Sequence, residues 1–599
     1  MAAQMTDSGH ALGDFTVTPR VLLLSVIAIG IGGVSAVVAL ALLRLIGLFT
    51  NLFYYQKWSS ALVSPAQNTL GLVAVIVPVL GALIVGLMAR YGSERIRGHG
   101  IPEALESILI HGSRVEPRLA VLKPVSSAIS IGSGGPFGAE GPIIMTGGAF
   151  GSLFAQLFHL SSAERKTLLV AGAAAGMAAT FAAPLSSLLL AVELLLFEWK
   201  PRSVIPVALA CGTAAAARRH LLGLGPLFPV PPHPASIGWD GLLACAVAGL
   251  LAGLLSALLT AAVYAAEDGF QKLPIHWMWW PAIGGLVIGI GGLIFPQALG
   301  VGYDTIASLI QGEVPKSTIA GILIVKSIIW AVALGSGTSG GVLAPLLMMG
   351  GALGGLEAGF LPHEGAGFWP LISMGAILGG TMRSPFTGIV FAIELTHDLN
   401  VLLPLLVANA LAYTVSVLLL KRSILTEKVS RRGFHLSREY TVDPLEILFA
   451  REVMETNITA FTEYTPCEAA VSAIPAQPNQ ALYPVLKDKS ILAGVVTRND
   501  IRHLAGEGEA SKPVAAVLRK KPVVAYAGEP LRVVVYRMAS SGFTQMPVLE
   551  EPGTDRLVGM ISLEGLLRAR AHTLSEERDR EQVIRIRLPF GLLMANEGR

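Results

Sequence analysis

Charge is what this sequence has least of. Only 14% of its 599 residues are Asp, Glu, Lys or Arg, where a soluble domain carries about 25%. That scarcity excludes a soluble enzyme over most of the length. Cysteine is nearly missing as well: Cys211, Cys245 and Cys467 lie far apart. A disulfide framework and a cysteine-ligated metal cluster are both excluded. Neither sign of charge dominates, and a net charge of +3 argues against a nucleic-acid partner. What fills the chain instead is apolar, 53% of it. Uncharged blocks of about 20 residues recur before residue 435, each long enough to cross a bilayer as a helix. The first, Val21 to Leu43, is too long for the core of a signal peptide. Gly (66) and Pro (36) make up about one residue in six, more than smooth helical hairpins need.

Two regimes follow one another. Up to about Leu420, helices are expected near 21–50, 69–90, 104–112, 122–131, 143–158, 166–180 and 185–197. Further ones are expected near 203–218, 239–266, 277–294, 317–334, 345–357, 369–380, 385–396 and 402–420. Several are too short to span the hydrocarbon alone, which is tolerated only where they are buried in protein or line a cavity. After Lys421 charge rises and strand-like runs alternate with amphipathic helices. Arg431 and Arg432 mark the switch, and a basic cluster there puts the tail in the cytoplasm. The expected division is a segment 1–20, a membrane unit 21–435, a linker 436–448, modules 449–506 and 512–572, and a tail 573–599.

The membrane unit repeats itself. Gly132-Ser-Gly-Gly-Pro-Phe-Gly-Ala-Glu-Gly-Pro142 matches Gly335-Ser-Gly-Thr-Ser-Gly-Gly-Val-Leu-Ala-Pro345 at an offset of 203. Pro184 to Leu194 matches Pro385 to Leu395 at an offset of 201. Two pairs in one order at nearly one offset are not chance, and paired repeats around a midplane site are common in membrane transporters. The tail repeats too: Pro484-Val-Leu486 with Pro547-Val-Leu549, and Gly494–Thr497 with Gly559–Ser562.

Three segments share one design: Gly98-His-Gly-Ile-Pro102, Gly138-Ala-Glu-Gly-Pro142 and Gly341-Val-Leu-Ala-Pro345. Each is a glycine loop, then a proline suited to the first helical position, then an apolar helix. A helix start offers unpaired N–H groups and about half a positive charge. Several such starts meeting at the midplane make an anion site without a full cation. Permeation needs that restraint, because the ion must also leave. Glu140 lies inside one of these loops, and an intramembrane carboxylate points to function. It can hold the anion's place and vacate it on protonation or anion entry. The plainer alternatives are kinks in a glycine-rich bundle and a carboxylate that caps its own helix.

Together these residues resemble the CLC family of chloride channels and anion–proton exchangers, over about 20–435. The three loops resemble the family's Gly-Ser-Gly-Ile-Pro, Gly-Lys/Arg-Glu-Gly-Pro and Gly-x-Phe-x-Pro. Lys123, seventeen residues before Glu140, falls where the family carries a lysine. The resemblance implies a polytopic all-α membrane protein built as an inverted repeat of broken helices, in the cell (inner) membrane. It also implies a homodimer with one anion pathway per subunit, chloride or a similar small anion as transported ligand, and Glu140 as gate. The implied anion-binding set is His99, Gly100, Ile101, Gly141, Val342, Leu343 and Leu425. Neither a metal nor an enzymatic activity is implied. The tail resembles a pair of α/β CBS modules. Thr497 and Asp500 fit the ribose signature of an adenine-nucleotide site in the first. In the second, Ser562 is kept but Gly565 replaces the acid.

The departures bear on function. His99 replaces the family's serine, Leu343 its phenylalanine, Ala139 its basic residue and Leu425 its central tyrosine, so the preferred anion stays open. Proton-coupled members carry an inner glutamate directly after the position of Glu193, and here that residue is Leu194. Passive conduction is therefore the expectation, with exchange through Glu198 as the alternative. A remote alternative is an intramembrane serine protease, from Gly337-Thr-Ser-Gly340, although nothing in the sequence pairs His159 or His397 with Ser339 as its base.

Overall fold

The computed structural model describes residues 17–433 except 110 and 235, then 445, 448–474, 480–488, 490–506 and 510–576. The chain divides into two compact units, Met1–Arg438 and Glu439–Arg599. Most of the segment 1–20 and of the linker 436–448, and the tail beyond 576, lie outside the described residues.

Among the described residues, the named elements of the first unit are all helices. Its first half holds α1 (Arg20–Thr50), α2 (Ile76–Tyr91), α3 (Ile101–Leu109) and α4 (Pro117–Gly132). It continues with α5 (Glu140–Gln156), α6 (Ser162–Phe181), α7 (Pro184–Leu190) and α8 (Pro201–Leu221). The second half holds α9 (Trp239–Gln271), α10 (Trp280–Ile294), α11 (Tyr303–Ile310), α12 (Lys316–Gly335) and α13 (Leu343–Glu357). It ends with α14 (Phe368–Met382), α15 (Pro385–Thr396), α16 (Leu402–Leu419) and α17 (Ile424–Arg431). Every expected helix is present. Two unexpected ones, α11 and α17, are eight residues long, shorter than the window that reveals a helical period.

The helices of this unit are apolar on their outer faces as well as inside. Leu22, Leu23 and Val26 on α1, and Leu243, Leu254 and Leu258 on α9, are exposed. Among the described residues, six helical segments are long and apolar enough to cross a membrane. Inside, small residues let backbones touch: a Cβ on Gly147 of α5 or Gly172 of α6 would run into the other's carbonyl. Close backbone approach is how helices associate where lipid removes the hydrophobic drive between them.

The halves repeat helix by helix. α4 and α12 end at Gly132 and Gly335, and α5 and α13 begin at Glu140 and Leu343. α6 and α14 both end on left-handed residues, Ala182 (φ 57°) and Arg383 (φ 56°). Two residues later Pro184 and Pro385 open α7 and α15. One expectation needs correction: Pro102, Pro142 and Pro345 occupy the second or third helical position, because α3, α5 and α13 begin one or two residues earlier. They remain inside the first turn, where a missing N–H costs nothing.

The second unit repeats as well. β1 (Phe461–Thr462) pairs parallel with β2 (Leu482–Leu486), which pairs antiparallel with β3 (Leu492–Thr497). β4 (Ala525–Tyr526), β5 (Gln545–Leu549) and β6 (Leu557–Ser562) copy that order. The register shift between Val485 and Leu486 recurs between Val548 and Leu549. The closing helix Leu563–Glu576 runs past the boundary expected at 572.

Candidate functional site

Three loops meet inside the first unit because glycine clears the space between them. Gly98 bridges to Ser339 in parallel, and Gly138 to Gly341 antiparallel. The Gly138 N–H donates to the Gly341 carbonyl at 3.2 Å, and the Gly341 N–H to the Gly138 carbonyl at 2.9 Å. Gly141 lies against the His99 carbonyl, and Gly100, at φ +91°, against the Gly141 carbonyl. A Cβ at either would strike backbone. The starts of α3, α5 and α13 are thereby drawn to one place, with their unpaired N–H groups and their positive dipole ends.

Two buried lysines each hold a glycine loop, the first of these three and a fourth that contains Gly300. Lys123 Nζ on α4 donates to the carbonyls of Ile96 (2.8 Å) and Gly98 (2.9 Å). Lys326 Nζ on α12 donates to those of Ala298 (2.8 Å) and Gly300 (2.9 Å). Lys326 stands 203 residues after Lys123 and seventeen before Leu343, the first residue of α13. The sequence reading found only Lys123, although the repeat offset alone would have found its copy. Lys326 also interacts electrostatically with Glu140.

Glu140 is fully buried. Its Oε1 accepts a hydrogen bond of 2.6 Å from the backbone N–H of Ala344, in the first turn of α13. Its Oε2 is buried with no hydrogen-bond partner. The carboxylate of one half thus occupies the helix start of the other, where the three-loop design offers donors to an anion.

A family model described as voltage gated chloride channel matches residues 80–417, more than half of the sequence. The chain belongs to that family. Among similar proteins is a putative chloride channel protein, ClcB-like, of Ralstonia nicotianae. It is 29% identical over 355 residues, covering 57% of this chain and 82% of that one. The H(+)/Cl(-) exchange transporter ClcA of Citrobacter koseri is 31% identical over 355 residues, covering 56% and 73%. In fold, the chain is similar to a slow cyanobacterial Cl-/H+ antiporter, with a TM-score of 0.61 and 22% identity, covering 70% of this chain and 99% of that one. A eukaryotic CLC transporter gives a TM-score of 0.58 and 19% identity, covering 91% and 98%. A CBS domain model matches residues 514–572, and 449–506 builds a sheet of the same order. The protein is an integral membrane protein of the CLC family with a C-terminal CBS domain.

The implied anion-binding residues of this CLC protein fall into two groups. Gly100, Gly141 and the His99 backbone converge beside Gly341, and His99, Ile101, Val342 and Leu343 are all buried. His99 is 3% exposed, with Nδ1 buried and without a partner. Leu425 is buried in α17, which packs on α3. Sequence reasoning missed Glu103, whose carboxylate accepts from the Gly100 N–H at 2.7 Å and pairs with Arg432 at 3.5 Å. An acid in the third helical position is the signal of such a cap.

The remaining acids and hydroxyls have other tasks. Glu193 accepts from the backbone N–H of Phe386 (3.3 Å) and Thr387 (2.9 Å) at the start of α15. Glu394 accepts from Leu185 (2.9 Å) and Ser186 (2.8 Å) at the start of α7. Each caps the repeat segment that carries the other. Glu198 accepts from Ser203 Oγ at 2.7 Å and pairs with Arg202 and Lys200. Ser339 Oγ bonds Ser127 Oγ at 2.8 Å, which gives its hydroxyl a structural partner and leaves the protease reading without support. In the second unit, the Thr497 N–H donates to Asp500 (3.1 Å), and Arg519 Nη2 pairs with the same carboxylate at 3.2 Å.

Proposed function

We propose that this CLC protein exchanges chloride, or a similar small anion, for protons, with Glu140 as the group that both cargoes address. The bond from the Ala344 N–H to Glu140 Oε1 carries this reading. A charge-assisted bond to a carboxylate is strong, and an anion entering the loops competes for the same donor. Protonation removes the charge and weakens the bond, so one side chain answers to both ions. The amides themselves carry no full charge, which lets the anion leave again.

The relative of 31% identity bears the name of a proton–chloride exchanger, and this favours exchange over the passive conduction expected from Leu194. On the inner side, Glu198 and Glu103 are the acids available to pass protons. Glu103 sits on the His99 loop and meets the half-exposed Arg432. Passive conduction remains the second reading, favoured by the buried, aliphatic Leu194. In either case the subunits pair as a homodimer, with the CBS tail in the cytoplasm.

Glu140→Gln separates the parts of the proposal. Chloride flux should persist, lose its dependence on pH and lose its coupling to protons. Flux and pH dependence identical to the parent protein would remove Glu140 from the gate.

A further inference from the structure

Among the buried polar atoms near the anion loops that have nothing to bond, two are complementary. Glu140 Oε2 is an acceptor without a partner, and Tyr303 Oη is a donor without one. Tyr303 opens α11 directly after Gly300-Val-Gly302, the loop that Lys326 holds through the Gly300 carbonyl. The Gly300 N–H donates to the Gly134 carbonyl at 3.1 Å, in the loop that leads to Glu140. Gly302 packs against the end of Met348, one turn along α13 from Ala344. The backbone that carries Tyr303 therefore touches both elements that place Glu140. The tyrosine also interacts electrostatically with the Glu140 carboxylate.

The ring itself is fixed. Phe181 meets it edge-on with centroids 6.3 Å apart, and Phe228 at 6.0 Å. Phe181 is in turn edge-on to Phe391 at 5.3 Å. The repeat shows what is special here: Gly300-Val-Gly-Tyr303 stands where the first half has Gly98-His-Gly-Ile101. The polar ring has moved from the second place in one loop to the fourth in the other.

From these contacts we infer that Tyr303 is a positioning residue for Glu140. Its hydroxyl receives the carboxyl group when an incoming anion displaces that group from the Ala344 amide. The inference rests on the reading of Glu140 as the group that competes with the anion. A buried carboxylate without a partner is costly, so a waiting O–H donor makes departure easier. Without that hydroxyl the balance moves toward the docked carboxylate and transport slows.

The test is chloride efflux from proteoliposomes holding the full-length parent, Tyr303→Phe, Glu140→Ala or both substitutions. Tyr303→Phe should slow efflux about two- to tenfold, the range that one net hydrogen bond gives. Added to Glu140→Ala it should change nothing further. An equal slowing in both backgrounds would overturn the inference and leave the ring a packing role. Full-speed efflux in the single variant would overturn it too. Efflux unaltered by Glu140→Ala would instead sink the gate reading, and this inference with it. Should Tyr303→Phe fail to fold, the parent protein crystallised in high bromide decides. A displaced Glu140 carboxyl within hydrogen-bond distance of Tyr303 Oη supports the inference, and one placed elsewhere contradicts it.

Discussion

Lys326 repeats, 203 residues later, the bond that Lys123 makes: each Nζ lies 2.9 Å from a glycine carbonyl, Gly300 and Gly98 respectively. Removing either ammonium takes a charged donor from two carbonyls, of which Gly98 keeps a longer bond from the Gly340 N–H at 3.4 Å. An unsatisfied buried acceptor costs about 1–3 kcal/mol, so Lys326→Met and Lys123→Met should destabilise by comparable amounts. Thermal unfolding in detergent should show a Tm several degrees below the parent for both. A Tm unchanged in Lys326→Met would show that its two bonds do not hold the loop.

The crossed caps of Glu193 and Glu394 predict a structural phenotype. Losing a capping acceptor costs about 1 kcal/mol, so Glu394→Ala should lower stability by about that amount. Glu193→Gln should lower stability while leaving the ratio of protons to chloride as it was. A changed ratio in Glu193→Gln would return that residue to the proton path.

His99 places an unpartnered ring nitrogen in the buried loop that meets Gly141. If this nitrogen serves the anion, its removal costs a hydrogen bond to a charged group, about 1.5–3 kcal/mol. His99→Ala should then weaken chloride binding about tenfold or more in calorimetry, and His99→Ser should restore most of it. Equal affinity in parent and His99→Ala would take the ring out of the site.

Asp500 is already engaged in the first CBS module. Burial pushes its carboxyl upward, but the bonds from Thr497 and the Arg519 pair outweigh that and hold it below the ordinary range. A depressed folded value gives stability that is full above about pH 3.9 and is lost as pH falls through the folded value. Asp500→Asn should therefore flatten the acid side of the tail's unfolding profile. Because Arg519 holds this carboxylate and the second module has Gly565 in place of its acid, ATP should bind weakly or not at all. Calorimetry showing two tight ATP sites per chain would contradict this.

Much of the fold was legible because its signals are strong. Fifteen expected helices are present, the break points fall on the repeated glycine loops, and the two-module tail follows from its duplicated strands. α11 and α17 escaped because eight residues are too few to show a period. In the site, the loops and Glu140 were readable from spacing. Lys326 escaped because an isolated lysine in an apolar helix carries no motif, and only the repeat offset identifies it. Tyr303 and Glu103 escaped because their meaning lies in contacts across the chain: an unmatched hydroxyl near Glu140, and a cap shared with Arg432. The crossing of Glu193 and Glu394 likewise joins residues about 200 positions apart, beyond any local pattern.

The central claim is exchange, and one measurement addresses it directly. A chloride gradient is imposed across proteoliposomes while the voltage is clamped so that protons have no driving force of their own. The account predicts that chloride movement drives protons uphill in the parent protein and not in Glu140→Gln. Chloride flux in the parent with no proton movement would contradict it and make the protein a passive conductor.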